Sequence, residues 1–227
     1  MPNKRILHIY GLASNKHWIK GFDHLCSDAQ VEHEYYSAFF DCKLWSDKNN
    51  DRENIKSSNS GLSLAIEKAD LCVLHSISSL LIPLFFLEAK TKVLAVNPNL
   101  KVEPESLSQK IANLGESNLR KVELFWLLAC AKLADECSER FSSAAKREIA
   151  TQSFDKKKSI FAFCRLAQDP SFLAEVNEVI ATRSISLVGD ETEKHANHLS
   201  IQGFPAGHNP MLSDPEQYVK SICKGII

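Results

Sequence analysis

Asp70-Leu-Cys-Val-Leu-His-Ser76-Ile-Ser-Ser-Leu-Leu81 is the stretch whose reading decides the fold. Asp70 to Leu74 is a short run bounded by turn residues, the pattern of a strand buried on both faces. Ser76 follows at a turn, and Ser79 to Ala89 is apolar nearly all round, so that segment reads as a helix packed against a sheet. Pro83 lacks an N–H and is expected to bend it. Strand, sharp turn and helix N-terminus together project a serine hydroxyl from a tight corner, with backbone N–H groups beside it.

Further short runs flank this stretch. Arg5 to Ile9, Lys92 to Val96, Ile185 to Val188 and Leu199 to Phe204 read as buried strands, and the more polar Val31 to Ser37 as a strand nearer an edge. Gly61 to Lys68 and Pro215 to Cys223 have helical spacing, the latter with Tyr218, Val219 and Ile222 on one face. Lys48 to Ser60 is the most polar stretch and reads as an exposed loop leading into a helix. The alternation predicts an α/β fold, a doubly wound, mostly parallel sheet.

From Pro104 to Ala181 the alternation breaks. Val122, Phe125, Trp126, Ala129 and Leu133 form one helical stripe, and Phe161, Cys164, Phe172, Leu173 and Val176 offer others. A crossover needs far fewer residues, so 104–181 is expected to be a helical lid insertion, with 1–103 and 182–227 forming the core.

The chain of 227 residues, 44% hydrophobic, supports one full core. A net charge of -1 gives no general reason to bind nucleic acid or an anionic membrane. No apolar run approaches the length of a membrane span, and the basic N-terminus lacks a signal-peptide core, so a cytoplasmic protein is expected. Seven scattered cysteines fit reduced thiols better than disulfides or zinc, and no metal is expected.

Serine at a turn needs a base. Gly203-Phe-Pro-Ala-Gly207-His208-Asn-Pro210 follows a run read as a strand, which puts His208 over the carboxyl edge of the sheet. Asp190 ends Ile185-Ser-Leu-Val-Gly189-Asp190 and could fix the tautomer of His208, with Glu191 as runner-up. The order Ser76, Asp190, His208 is that of serine-acid-histidine triads on such sheets. Only residues 190 to 198 join the last two expected strands, short for a parallel crossover. The backbone N–H of Ile77 and that of Leu12, after Gly11, are candidate oxyanion donors, and Tyr10 and Trp18 candidate pocket walls. Ser78 is the alternative nucleophile, and a serine helix cap is the alternative role for Ser76.

With these motifs in place, the chain resembles the α/β-hydrolase superfamily. It is most similar to small carboxylesterases such as the pimeloyl-acyl-carrier-protein methyl ester esterases of biotin synthesis. Tyr10-Gly11-Leu12-Ala13 with Asn15 and Trp18 stands where these carry His-Gly-Trp-Gly, a nearby Asn and a Trp. His75-Ser76-Ile77-Ser78-Ser79 stands for His-Ser-Leu-Gly-Gly, and Val188-Gly189-Asp190 and Gly207-His208-Asn209-Pro210 match the acid and histidine loops. Leu74 departs from the pattern, which has Gly or Ala there. The resemblance implies ester hydrolysis through an acyl-enzyme, without a cofactor. It also implies an acyl substrate that an acidic carrier protein could present to basic residues of the insertion, among them Arg120, Lys121, Lys132, Arg140, Lys146, Arg147 and Lys156 to Lys158. A thioesterase or lyase on the same triad, or a hydrolase-like protein that binds without catalysis, are the alternatives.

Overall fold

A computed structural model of the protein describes residues 4–13, 31–39, 50–154, 158–189 and 207–225. Five strands form one sheet: β1 (Lys4–Ile9), β2 (Val31–Tyr36), β3 (Leu71–His75), β4 (Lys92–Val96) and β5 (Ser186–Val188). Their order is β2-β1-β3-β4-β5, and every neighbouring pair is parallel. The four earliest strand positions agree with the sequence to within a residue. β5 is one residue shorter than expected at its start. β2, with its alternating polar residues, is the outermost strand on its side among the described residues. The expected strand Leu199 to Phe204 lies outside the described residues, as do Trp18, Asp190 and Glu191.

Helices follow as α1 (Asp51–Ser58), α2 (Leu62–Lys68), α3 (Ile82–Phe85), α4 (Leu107–Leu114), α5 (Leu119–Glu136), α6 (Ser143–Ala150), α7 (Lys158–Leu166), α8 (Pro170–Thr182), α9 (Pro210–Ser213) and α10 (Pro215–Gly225). Among the described residues, no helix is long and apolar enough to cross a membrane.

Two of these differ from the sequence expectation. The stretch read as an exposed loop contains α1. Asn50 caps it by accepting a hydrogen bond from the Glu53 N–H, and Asp51 and Glu53 sit in the first turn, where the helix dipole favours negative charge. Only Asn54 and Ile55 are buried, so the helix is polar almost all round and hides its periodicity. The second difference concerns Pro83. Ser76–Leu81 is a 3-10 turn, and α3 begins at Ile82, so Pro83 stands in the first turn of a new helix where its missing N–H has no partner to lose.

Alternation along the strands gives the sheet two different faces. Leu7, Ile9, Cys72, Leu74, Ala95 and Leu187 face one buried cluster with Ile55 of α1, Leu62 of α2, and Phe161, Phe163 and Phe172 of α7 and α8. Ile6, Leu71, Val73, Leu94, Val96 and Val188 face the other, with Ile149 of α6, Met211 of α9, and Tyr218 and Ile222 of α10. Helices therefore cover both sides, as a doubly wound sheet requires. α5 contributes to both clusters, Val122 and Trp126 to the first and Ala134 to the second, so it bridges the two helical layers.

Candidate active site

The strand order reverses between β1 and β3: from β1 the chain steps to β2 on one side, then returns to β3 on the other. Loops leaving neighbouring strands on either side of such a point diverge, and the crevice between them is where open α/β sheets take ligands. Here the β1 loop supplies Gly11, Leu12 and Ala13, and the β3 loop supplies Ser76 and Ile77. These residues line a pocket of about 550 Å³. Its far wall comes from α4 and α5, through Leu107, Phe125, Leu128, Ala129 and Leu133, and His208 and Met211 complete the rim.

Ser76 occupies the corner itself. It is the first residue after β3 and has φ 52°, in the left-handed region that a non-glycine residue enters at a cost. The surroundings hold it there. Ser78 is fully buried, and its Oγ lies 2.9 Å from both the Ile9 and the His75 carbonyl oxygens, tying the corner to the end of β1. Gly11 passes so close that a Cβ there would lie 3.0 Å from the His75 carbonyl oxygen and 3.2 Å from the Ser76 Cβ. The small residue that the turn demands is thus in the loop after β1, at Gly11, while Leu74 is fully buried in the apolar cluster behind the turn.

The serine hydroxyl is half-buried and donates to Asn99 Oδ1 at 3.5 Å. Asn99 is buried, and its own N–H is fixed by Ser79 Oγ at 3.0 Å. The N-cap position of the 3-10 turn is taken by His75, so Ser76 is not that turn's cap. The residues of the two candidate oxyanion donors line the same pocket, Leu12 in a turn whose next residue, Ala13, has φ 60°, and Ile77 in the 3-10 turn. Tyr10 does not line the pocket; it is buried against His75 at a centroid distance of 5.9 Å and packs in the cluster on the α10 side.

His208 is exposed and shares the pocket with Ser76. Its loop is gripped from two directions. The Asn97 amide donates to the Gly207 carbonyl at 3.1 Å and to the His208 carbonyl at 2.9 Å. Asn209 Nδ2 donates to Glu136 Oε2 of α5 at 2.9 Å. Asn97, Asn99 and Glu136 were not singled out from the sequence. The signal for the first two was Asn97-Pro-Asn99 directly after a buried strand, since Asn tolerates the left-handed turn that such an ending uses; Asn97 has φ 45°.

His75, the neighbour of Ser76, is buried with its Nε2 2.9 Å from the Tyr218 hydroxyl. Burial, and second the nearby His208, lower its pKa to about 3, so it is a neutral structural imidazole and no rival base at neutral pH. Burial likewise pushes the Cys72 thiol up to about 12 and those of Cys130 and Cys137 to about 11, which removes them as nucleophiles. Among the described residues, no group of three or more His, Cys, Asp or Glu side chains is arranged to hold a metal ion.

The fold has a solved counterpart. A hydrolase from Oleispira antarctica superposes with a TM-score of 0.56 over 99% of this chain and 92% of that one, at 15% sequence identity. At that identity the likeness speaks for the α/β fold alone. No family model matches the sequence, and no curated protein matches it.

Proposed function

We propose that the protein is a serine hydrolase of the α/β-hydrolase type that cleaves an acyl ester. One observation carries this reading. A serine held at a strained left-handed corner, at the switch point of a parallel sheet, opens into a pocket that also contains an exposed histidine. Strain of this kind persists where the surroundings over-determine it, and here Gly11 and Ser78 do so.

In this mechanism Ser76 Oγ attacks the ester carbonyl carbon while His208 takes its proton. The N–H groups of Leu12 and Ile77 hold the oxyanion of the tetrahedral intermediate. Its collapse breaks the ester C–O bond, and His208 returns the proton to the departing alcohol. Water, deprotonated by the same imidazole, then releases the acid from Ser76. Asp190, at the end of β5 in sequence, is assigned as the carboxylate that orients His208. No metal or organic cofactor takes part.

The lid of this proposal is the insertion 104–181. Within it α4 and α5 wall the pocket, and they share the buried cluster of β3 and β4 with α7 and α8. The apolar wall of Leu107, Phe125, Leu128 and Leu133 suits an acyl chain. Arg120, Lys121 and Lys132, exposed on α5, favour an acyl group delivered by an acidic carrier protein in the cytoplasm. Pimeloyl-acyl-carrier-protein methyl ester is the named substrate we put to the test.

A fluorophosphonate probe should label the protein covalently, with the adduct located on Ser76 by mass spectrometry. Ser76→Ala should abolish both labelling and p-nitrophenyl ester hydrolysis. Full activity in S76A removes the proposal. Complementation of a strain lacking the pimeloyl ester esterase tests the substrate separately.

A further inference from the structure

Three chain segments meet beside the site: the end of β4, the end of β5 and the loop bearing His208. One side chain lies at their junction. The Asn97 N–H donates to the Val188 carbonyl at 2.8 Å, extending the β4–β5 ladder by one bond beyond β4. Its side-chain amide spends both hydrogens on the carbonyls of Gly207 and His208. Its Oδ1 crowds Gly189 so closely that a Cβ on that glycine would lie 2.5 Å away, and Gly189 immediately precedes Asp190. The φ of 45° turns the side chain back over the strand ends, a conformation that Asn adopts more readily than most residues.

We propose that Asn97 is a positioning residue that clamps the His208 loop against the ends of β4 and β5, setting where the imidazole stands relative to Ser76. This rests on the serine-hydrolase reading. The chemistry asks for an amide in particular. Two carbonyl oxygens face the same point, so the group between them must donate twice and accept from neither. A carboxylate of the same size turns both attractions into repulsions. Glycine keeps the left-handed backbone but drops both bonds.

A displaced imidazole has a chemical signature. An alkyl ester needs a positioned acid to protonate its departing alcohol, whereas p-nitrophenolate leaves unprotonated. Asn97→Gly and Asn97→Asp should both reduce kcat on an alkyl butyrate by about tenfold to a hundredfold, with KM within about twofold. The loss on p-nitrophenyl butyrate should be several times smaller. The glycine variant tolerates the backbone and the aspartate variant preserves the shape, so one of them is expected to fold; thermal melting identifies which. Retention of kcat within about twofold on both esters overturns the clamp, as does an equal loss on both or a loss carried by KM. Fluorophosphonate labelling of the parent protein separates the two ideas. An unlabelled Ser76 overturns the hydrolase reading, while a labelled Ser76 with unselective or silent Asn97 variants overturns the clamp alone.

Discussion

The two faces of the sheet alternate along the same strands and could hardly be less alike. On one, Leu7, Ile9, Cys72 and Leu74 meet the phenylalanines of α7 and α8, and aliphatic and phenyl side chains dominate the layer. On the other, alternate positions of β1, β2 and β3 carry His8, His33, Tyr35 and His75, joined by Tyr10 and by Tyr218 from α10. His8 stacks between His33 and Tyr35 at 5.2 Å from each, and Tyr10 stacks on Tyr35 at 5.7 Å. His8 Nε2 lies 2.9 Å from His33 Nδ1, and His75 pairs with Tyr218 at the same distance. The apolar face can be cheaply stabilised by burial alone, whereas the ring face must satisfy nitrogens and oxygens one by one. The ring face lies directly behind Ser76, through His75, so the less forgiving packing is the one next to the proposed chemistry.

Removing bulk from the apolar face should have the largest effect. Phe172 is fully buried, and Phe172→Ala deletes a ring that neighbouring side chains can replace only in part. A loss of about 3–5 kcal/mol is expected, read as a lower urea midpoint at unchanged m-value. A loss below about 1 kcal/mol would break the contrast, because this face would then not be where burial stabilises the fold.

The ring face should instead answer to pH. His8 and His75 are held well below the ordinary histidine value, each chiefly by burial, His75 at about 3. Folded, they are neutral; unfolded, they protonate near 6.5. Above that pH neither state binds a proton and the pair contributes no slope. Below it the unfolded chain takes up protons that the folded one refuses, so stability falls as pH drops from about 6.5 towards 3, by up to about 1.4 kcal/mol per pH unit for each histidine. Urea titrations between pH 7 and 5 measure the slope. His75→Phe should remove about half of it, leaving the His8 share, and an unchanged slope in that variant would show that the ring face is not the acid-sensitive layer.

The same contrast explains what the sequence discloses. β1, β3 and β4 are legible because a strand covered on both sides becomes a continuous run, and β2 because its polar alternation marks an edge. Ser76 is legible because it directly follows a buried strand, and His208, read from a run that lies outside the described residues, shares its pocket. α1 escapes because its single buried turn gives no stripe, although Asn50 followed three residues on by Glu53 is a capping signal in plain view. Asn97 and Asn99 escape for a different reason: an Asn-Pro-Asn turn reads as punctuation, and which carbonyl a turn amide meets is decided by a loop over a hundred residues later. Tyr10 misleads because a residue at the end of β1 can face either layer, and register sends it into the ring stack rather than the pocket.

The finest separation of the two faces comes from pairing two single-atom-scale deletions. Tyr218→Phe removes one oxygen from a fully buried side chain and strands His75 Nε2; His75 Nδ1 already has no partner among the described residues. The ring would then be buried with neither nitrogen bonded, at a cost of about 1–3 kcal/mol. Ile9→Val removes one methyl from a fully buried residue on the opposite face, where the neighbours are adaptable hydrocarbon, and should cost about 0.5–1.5 kcal/mol. The two side chains are on opposite layers, so their effects should add in the double variant. Clear non-additivity would mean that the sheet transmits strain from one layer to the other. Because β3 carries a residue of each layer at Leu74 and His75, that strain would arrive at the corner occupied by Ser76.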